Sequence, residues 1–168
     1  ATVAVSSTSR GAELAASEAV ESGGAIRFYG QSTPRVTERS RAITRLLPNA
    51  LSRGELELHY QPLVEGDSRK VAAAEALLRW NSPELGAVPP SEFVPLAEEI
   101  GLMVPIGGWV LRTACAQVRA WLDEGLSPSR VAVNVSLCQL VRGDLAEVVR
   151  NALAESRLTG PVNVTSPH

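Results

Sequence analysis

The sequence predicts an α/β fold, a mostly parallel sheet covered by helices, and three patterns carry that prediction. ELELHYQPLV alternates, with Leu56, Leu58 and Tyr60 on one face, and VAAAEALLRW follows the polar EGDSRK, so two strands joined by a turn are expected. Apolar residues then recur every four positions, at Ile106, Val110, Ala114, Val118 and Leu122, while Arg112, Arg119 and Asp123 face away. That is the pattern of an amphipathic covering helix. RVAVNVS is a compact β run, followed by a second periodic segment and by VNV. The order from Glu55 onward is β-β-α-α-β-α-β, which either spreads as a doubly wound sheet or closes as a barrel. Both architectures gather ligands at the C-terminal ends of strands.

Taken in order, ATVAVSSTSRG reads as a short β run and a Ser/Gly loop, Ala12 to Glu21 as a helix, and AIRFYG as an apolar, aromatic run. QSTPRVTERSRAITRLLPNAL is expected to be a solvated linker helix, with Arg35, Arg39, Arg41 and Arg45 at four-residue spacings that also suit a basic docking surface. NSPELGAVPP reads as loop. Ser91 is placed to cap a helix running to Ile100 and stopped by Gly101, because its hydroxyl can satisfy a free backbone N–H. Trp109 and Trp121 flank the long helix that follows, and Gly125 ends it. Asp144 with Glu147 resembles a capping pair ahead of Leu145, Val148, Val149, Ala152 and Leu153, with Gly160 as the stop.

Composition limits what these elements can do. A chain of 168 residues, 45% hydrophobic and 20% charged, is a globular protein with one core, and its net charge of −2 gives no general attraction to nucleic-acid polymers or acidic membranes. No apolar run approaches the roughly 20 residues of a membrane helix, and neither an anchor nor an export leader is expected in this chain. Cys115 and Cys138 lie far apart with no CxxC spacing, which points to a cytoplasmic setting rather than a disulfide framework or a zinc site.

The chemistry begins with a misfit. Glu75 sits in the middle of VAAAEALLRW, a run otherwise suited to burial, and a desolvated carboxylate needs a partner or a cation. Glu75 falls late in its strand and Asn134 late in RVAVNVS, so as parallel neighbours the two strands bring a carboxylate and an amide oxygen to one rim. Two hard oxygen donors suit Mg²⁺, Mn²⁺ or Ca²⁺. The same spacing equally allows a purely structural arrangement, Glu75 paired with Arg79 and Asn134 bonded to a loop. His59 has no second ligand near it in sequence, and Glu98 and Glu99 at a helix end read as solvated or structurally paired.

The ordered pieces LHYQPLV, AEALLRW, PSEFVPLAEEIGL, IGGWVL, AW and VNVSLCQL, between Arg45 and Val164, resemble the N-terminal half of an EAL domain, the bacterial phosphodiesterase that cleaves cyclic di-GMP. Glu75, Ala76 and Leu77 are the naming triplet. More faintly, ELAASEAVESGGAIRFYG resembles the last helix and strand of a GGDEF, or diguanylate cyclase, domain. The resemblance implies residues 1–30 as a GGDEF remnant, 31–45 as a linker helix and 46–168 as the EAL portion. It also implies a modified TIM barrel, here partial, whose first strand is antiparallel. The expected reaction is hydrolysis of cyclic di-GMP to pGpG with Mg²⁺ or Mn²⁺. Carried over residue by residue, Glu75 and Asn134 match metal ligands, Arg79 a phosphate contact, and Gln61 and Leu77 residues beside the nucleotide. An Arg suits that place because its planar fork meets phosphate oxygens in a way Lys cannot.

The family continues with a glutamate ligand, an aspartate pair, a catalytic lysine, another glutamate and a glutamine, whereas this chain reads VNVTSPH after RLTGP. Lys70, the only lysine, lies in the turn before the EAL strand and cannot be that lysine. A barrel needs about 250 residues, so the expectation is a fragment that does not turn over cyclic di-GMP alone and can self-associate through an exposed sheet edge. A degenerate receptor that binds without catalysis, and an interaction module, are the alternatives.

Overall fold

Two long strands joined as a hairpin organise everything that follows them. The computed structural model describes residues 2–6, 37–65, 70–126, 130–142, 144–159 and 162–165. In chain order the elements are β1 (Thr2–Ser6), α1 (Glu38–Ala50), β2 (Leu56–Glu65), β3 (Lys70–Ser82), β4 (Gly86–Val88), α2 (Pro90–Glu99), α3 (Met103–Asp123), β5 (Arg130–Asn134), α4 (Leu137–Arg142), α5 (Leu145–Glu155) and β6 (Val162–Thr165). The strands form one mixed sheet in the order β2-β3-β5-β1-β6, with β4 paired to β3. β2 runs antiparallel to β3, as expected for the first barrel strand, while β3 to β5, β5 to β1 and β1 to β6 are parallel. The helix expected over Ala12 to Glu21 and the AIRFYG run lie outside the described residues.

Side chains alternate across a strand, so β2, β3 and β5 each have a drier face and a wetter one. Leu56, Ala74, Ala76, Trp80, Val131 and Val133 are buried on the side of the helices. Against them α2 sets Phe93 and Ala97, and α3 sets Ile106, Val110, Leu111, Ala114, Cys115 and Val118. Trp80 and Phe93 meet edge to face with ring centroids 5.6 Å apart, and the indole N–H of Trp80 donates to Glu55 Oε2 at 2.9 Å. A large aromatic can be buried fully only when its polar tip has such an acceptor.

Several elements differ from expectation, each for a local reason. The helix starting after Thr37 is not a solvated linker: Ile43, Leu46, Leu47 and Ala50 bury one face in the core. Its Arg39 and Arg45 are committed to Glu92 at 2.5 Å and Glu84 at 2.8 Å, so they are not a free docking surface. Part of NSPELGAVPP is strand, because β3 extends to Ser82 and turns back at Gly86, at φ +70°, into β4. The N-cap of α2 is Pro89, with Pro90 as the first helical residue, instead of Ser91; proline there sacrifices an N–H that has no helical partner in any case. Asp144 does cap α5, accepting from Glu147 N at 3.2 Å. That helix stops at Glu155, ahead of Gly160, and Arg157 adopts the left-handed conformation, φ 52°.

The glycine pair in IGGWVL has one member with no room for a side chain. A Cβ on Gly107 would lie 1.8 Å from Gln139 Nε2, whereas one on Gly108 would meet Arg112 and Val148 at 3.5 and 3.8 Å, ordinary contact distances. Gln139 is only 5% exposed and its Oε1 accepts from Ser136 N at 3.1 Å and Ser136 Oγ at 3.2 Å, so it cannot swing aside freely. Gly107→Ala is expected to destabilise by about 1–3 kcal/mol through overpacking. Gly108→Ala, in a helix interior, should be neutral or stabilise by up to about 1 kcal/mol. Urea denaturation of the two variants checks the contrast.

Between sheet and helix lie two weak acids, the half-buried Tyr60 and the buried Cys115. Burial, and secondarily the neighbouring Cys115, pushes the Tyr60 phenol up from 10.0 to about 12, and burial pushes the Cys115 thiol from 9.0 to about 11. The folded chain therefore holds both protons to higher pH than the unfolded chain does. Its stability falls as pH rises from about 9 towards about 12. In Cys115→Ala the decline should begin nearer pH 10, read from melting temperatures across that range.

Candidate functional site

The face of the sheet turned away from the helices carries the polar residues of β2, β3 and β5. Register pairs Gln61 with Glu75, His59 with Leu77 and Glu57 with Arg79 across the hairpin. Glu75 is further matched to Ala132 on β5. Period two places Glu75, Leu77 and Arg79 on the same face of β3, while Ala74, Ala76 and Trp80 point into the core. The misfit in VAAAEALLRW is resolved: Glu75 is half-buried on the wet face between two alanines packed on the dry one.

Glu75 does not lie late in its strand. It is the sixth residue of the 13-residue β3. The two site residues meet because β5 is short and ends at Asn134 beside the middle of β3. Asn134 Nδ2 donates to Glu75 Oε1 at 2.8 Å, joining residues 59 positions apart in the chain. The alternative pairing of Glu75 with Arg79 is not formed. Arg79 is half-buried and donates from Nη1 to its neighbour's carbonyl, Leu78 O, at 2.9 Å; among the described residues no carboxylate pairs with it. Gln61 is exposed beside Glu75, and Leu77 is half-buried between Glu75 and Arg79. All five sequence-predicted residues thus share one face.

Two groups of neighbours were not foreseen. The Glu57 carboxylate, directly across from Arg79, bonds His59 Nε2 at 3.0 Å and also accepts from Asn81 Nδ2. The alternation of ELELHYQ already puts Glu57, His59 and Gln61 on one face, and was the signal that could have found them. The second group is Ser136 and Gln139, which open α4 as a capping pair of the S-x-x-Q type immediately after Asn134. That short helix falls where the sequence reading stopped at a strand.

Glu75 and Asn134 offer one anionic and one neutral oxygen donor, chemistry that suits a hard cation. Mg²⁺ is usually six-coordinate, so two protein donors leave most positions to water, phosphate oxygens or other residues. Among the described residues no group of three or more His, Cys, Asp and Glu is placed to hold a metal. A cleft of about 890 Å³ lies elsewhere, between α3 and the end of α5, lined by Arg112, Arg119, Asp123, Glu155 and Arg157 among others. None of the five predicted site residues lines it, and two of its charges, Arg119 and Asp123, pair with each other. A hydrogen bond from Arg119 holds the Asp123 carboxyl below its usual range. No described helix is long and apolar enough to cross a membrane.

Comparison with known proteins bears on the chain's family and fold. The family model described as "EAL domain" matches residues 44–164. The chain is 47% identical over 131 residues to the bifunctional diguanylate cyclase/cyclic di-GMP phosphodiesterase MucR of Pseudomonas aeruginosa, covering 78% of this chain and 19% of that protein. It is 42% identical over 109 residues to the cyclic di-GMP phosphodiesterase PdeR of Escherichia coli, covering 65% of this chain and 16% of the relative. Among solved structures, the MucR phosphodiesterase in complex with c-di-GMP superposes with a TM-score of 0.66 at 45% identity, over 70% of this chain and 47% of the other. The FimX EAL domain of Pseudomonas aeruginosa bound to c-di-GMP gives 0.59 at 28%, over 74% and 48%. The chain therefore spans about a fifth of the curated relatives' length and about half of the solved domains.

The contact between Asn134 and Glu75 has a direct test in Asn134→Asp, which sets two carboxylates against each other. Like charges raise the folded-state pKa of the pair above its unfolded value of roughly 4. The variant should match the wild type at pH 3 and lose stability as pH rises through the carboxylate range. An equal penalty at pH 3 and pH 7 in thermal denaturation would show that repulsion is not the cause.

Proposed function

The chain belongs to the EAL domain family, and from that premise we propose that it supplies the cation- and phosphate-binding half of a cyclic di-GMP phosphodiesterase site. The observation that carries the proposal is the shared wet face, where Glu75 and Asn134 are in contact and Arg79 has no carboxylate partner among the described residues. Glu75 and Asn134 would hold Mg²⁺ or Mn²⁺. The amide nitrogen of Asn134 faces the carboxylate in this structure. Cation binding would exchange that hydrogen bond for two oxygen donors, one from each side chain. A bound cation supplies Lewis-acid charge and activates water for attack on phosphorus.

The remaining residues bind and orient. Arg79 offers its guanidinium to a non-bridging phosphate oxygen, gaining a charge-assisted bond in place of the neutral carbonyl of Leu78. Leu77 gives the nucleotide an apolar contact between the two charged positions, and Gln61 offers an amide donor and acceptor beside Glu75. The complete family site calls on further carboxylates and a lysine that these residues do not provide. The 168-residue chain is accordingly read as binding cyclic di-GMP weakly without turning it over.

The domain reading stays with this proposal: residues 1–30 as the tail of a GGDEF-type domain, whose strand Thr2–Ser6 is added to the sheet between β5 and β6, 31–45 as the joint and 46–168 as the EAL portion. The MucR relative is named for both a diguanylate cyclase and a cyclic di-GMP phosphodiesterase activity, which fits the two domain types in one protein. Free thiols at Cys115 and Cys138 support a cytoplasmic setting. Edge strand β2 carries exposed Leu63 and Val64, which favours self-association along that edge.

Calorimetry with cyclic di-GMP and Mn²⁺, paired with chromatographic detection of pGpG, tests the proposal. The expected outcome is binding that Arg79→Ala weakens at least tenfold, Mn²⁺-dependence lost in Glu75→Ala, and no pGpG. Turnover by this chain that Glu75→Ala abolishes would show that the described residues suffice for catalysis.

A further inference from the structure

We infer that Gln139 is a positioning residue for Asn134, and that Gly107 on α3 exists to admit it. Asn134 is the last residue of β5, and the chain must leave the sheet immediately after it; a donor at a strand end is only as well placed as the turn that follows. That turn is held from beneath by one buried polar side chain. Gln139 is 5% exposed, and its Oε1 receives both the backbone N–H of Ser136, at 3.1 Å, and the Ser136 hydroxyl, at 3.2 Å. The backbone N–H of Gln139 returns a bond to Ser136 O at 3.1 Å, so residues 136 and 139 are tied three ways. Val135, 3% exposed, closes the short span between this knot and Asn134.

The knot is anchored to the helical layer as well. Gln139 Nε2 occupies the space where a side chain on residue 107 would begin, 1.8 Å from the ideal Cβ position. α3 is a 21-residue helix with one face buried in the core. Gln139 therefore transfers the position of α3 to the end of β5, and so to the amide that touches Glu75 at 2.8 Å. An apolar side chain of similar size would fill the space but leave the Ser136 N–H without its acceptor, freeing the turn that carries Asn134. The inference rests on the proposed role of Asn134 as a cation donor for its functional meaning, though not for its geometry.

Two readouts on the full chain separate the geometry from the function. The first needs no metal: in ¹H–¹⁵N spectra the Asn134 side-chain amide, bonded to Glu75, should be a single sharp pair in the wild type. It should shift or broaden in Gln139→Leu and return in Gln139→Glu, which keeps an acceptor oxygen. Gly107→Ala, which displaces Gln139 without altering it, should reproduce the Gln139→Leu spectrum. The second is Mn²⁺ affinity, where loss of a residue that orients a ligand typically costs about 10–100-fold. Gln139→Leu should weaken Mn²⁺ binding by about tenfold or more, and have no further effect when Asn134→Ala is already present. An unchanged Asn134 amide in a folded Gln139→Leu overturns the inference. A shifted amide with Mn²⁺ affinity indifferent to Asn134→Ala upholds the positioning and removes the donor role instead.

Discussion

The period-two alternation of β3 is the constraint on which the rest of this structure depends. Ala74, Ala76 and Trp80 go under the helices, and Glu75, Leu77 and Arg79 go to the opposite face. A slip of one residue against β2 or β5 would drive a carboxylate and a guanidinium beneath α3 and push Trp80 into water. The cost of burying two unpaired charges makes the register effectively unique. Trp80 adds a second lock, because only this register brings its indole N–H to Glu55 Oε2.

From that constraint the site follows with little additional information. β3 and β5 are matched over only Ala74 to Ala76 and Val131 to Val133, and this short parallel pairing leaves Asn134 projecting just past Glu75. The short side chains at Ala74 and Ala76 let the helical layer approach closely without disturbing Glu75 between them. On β2, Glu57 stands opposite Arg79 but is engaged with His59 and Asn81. The cross-strand partner that would most readily neutralise Arg79 is thus occupied elsewhere. A guanidinium kept from carboxylates on an open face can bind an anion without first breaking an ion pair.

Much of the fold was legible because it is written in local periodicity. The alternation of ELELHYQPLV, the four-residue recurrence from Ile106 to Leu122 and the Asp144 cap each use contacts within a strand or a helical turn, and each is present where expected. Errors arose where distant partners decide. Ile43 and Leu47 made α1 part of the core, a fact that depends on α2 and the sheet arriving against it. Two prolines began α2 in place of the serine hydroxyl, and the capping pair of α4 was hidden behind the strand signal of VNVS.

What the sequence by itself determined is which residues share a face and which chemistry each can perform: a carboxylate in an apolar run, an arginine four residues on, an amide at the end of a β run. Those properties follow from strand geometry and side-chain type, and need no knowledge of neighbours. Only the tertiary structure decided that Asn134 reaches Glu75 from 59 positions away, that Arg79 is left without a carboxylate among the described residues, and that Gln139 fits against Gly107. These are contacts between elements, set by how the sheet and its helical layer pack. No periodicity along the chain encodes the distance between two surfaces that meet only after folding.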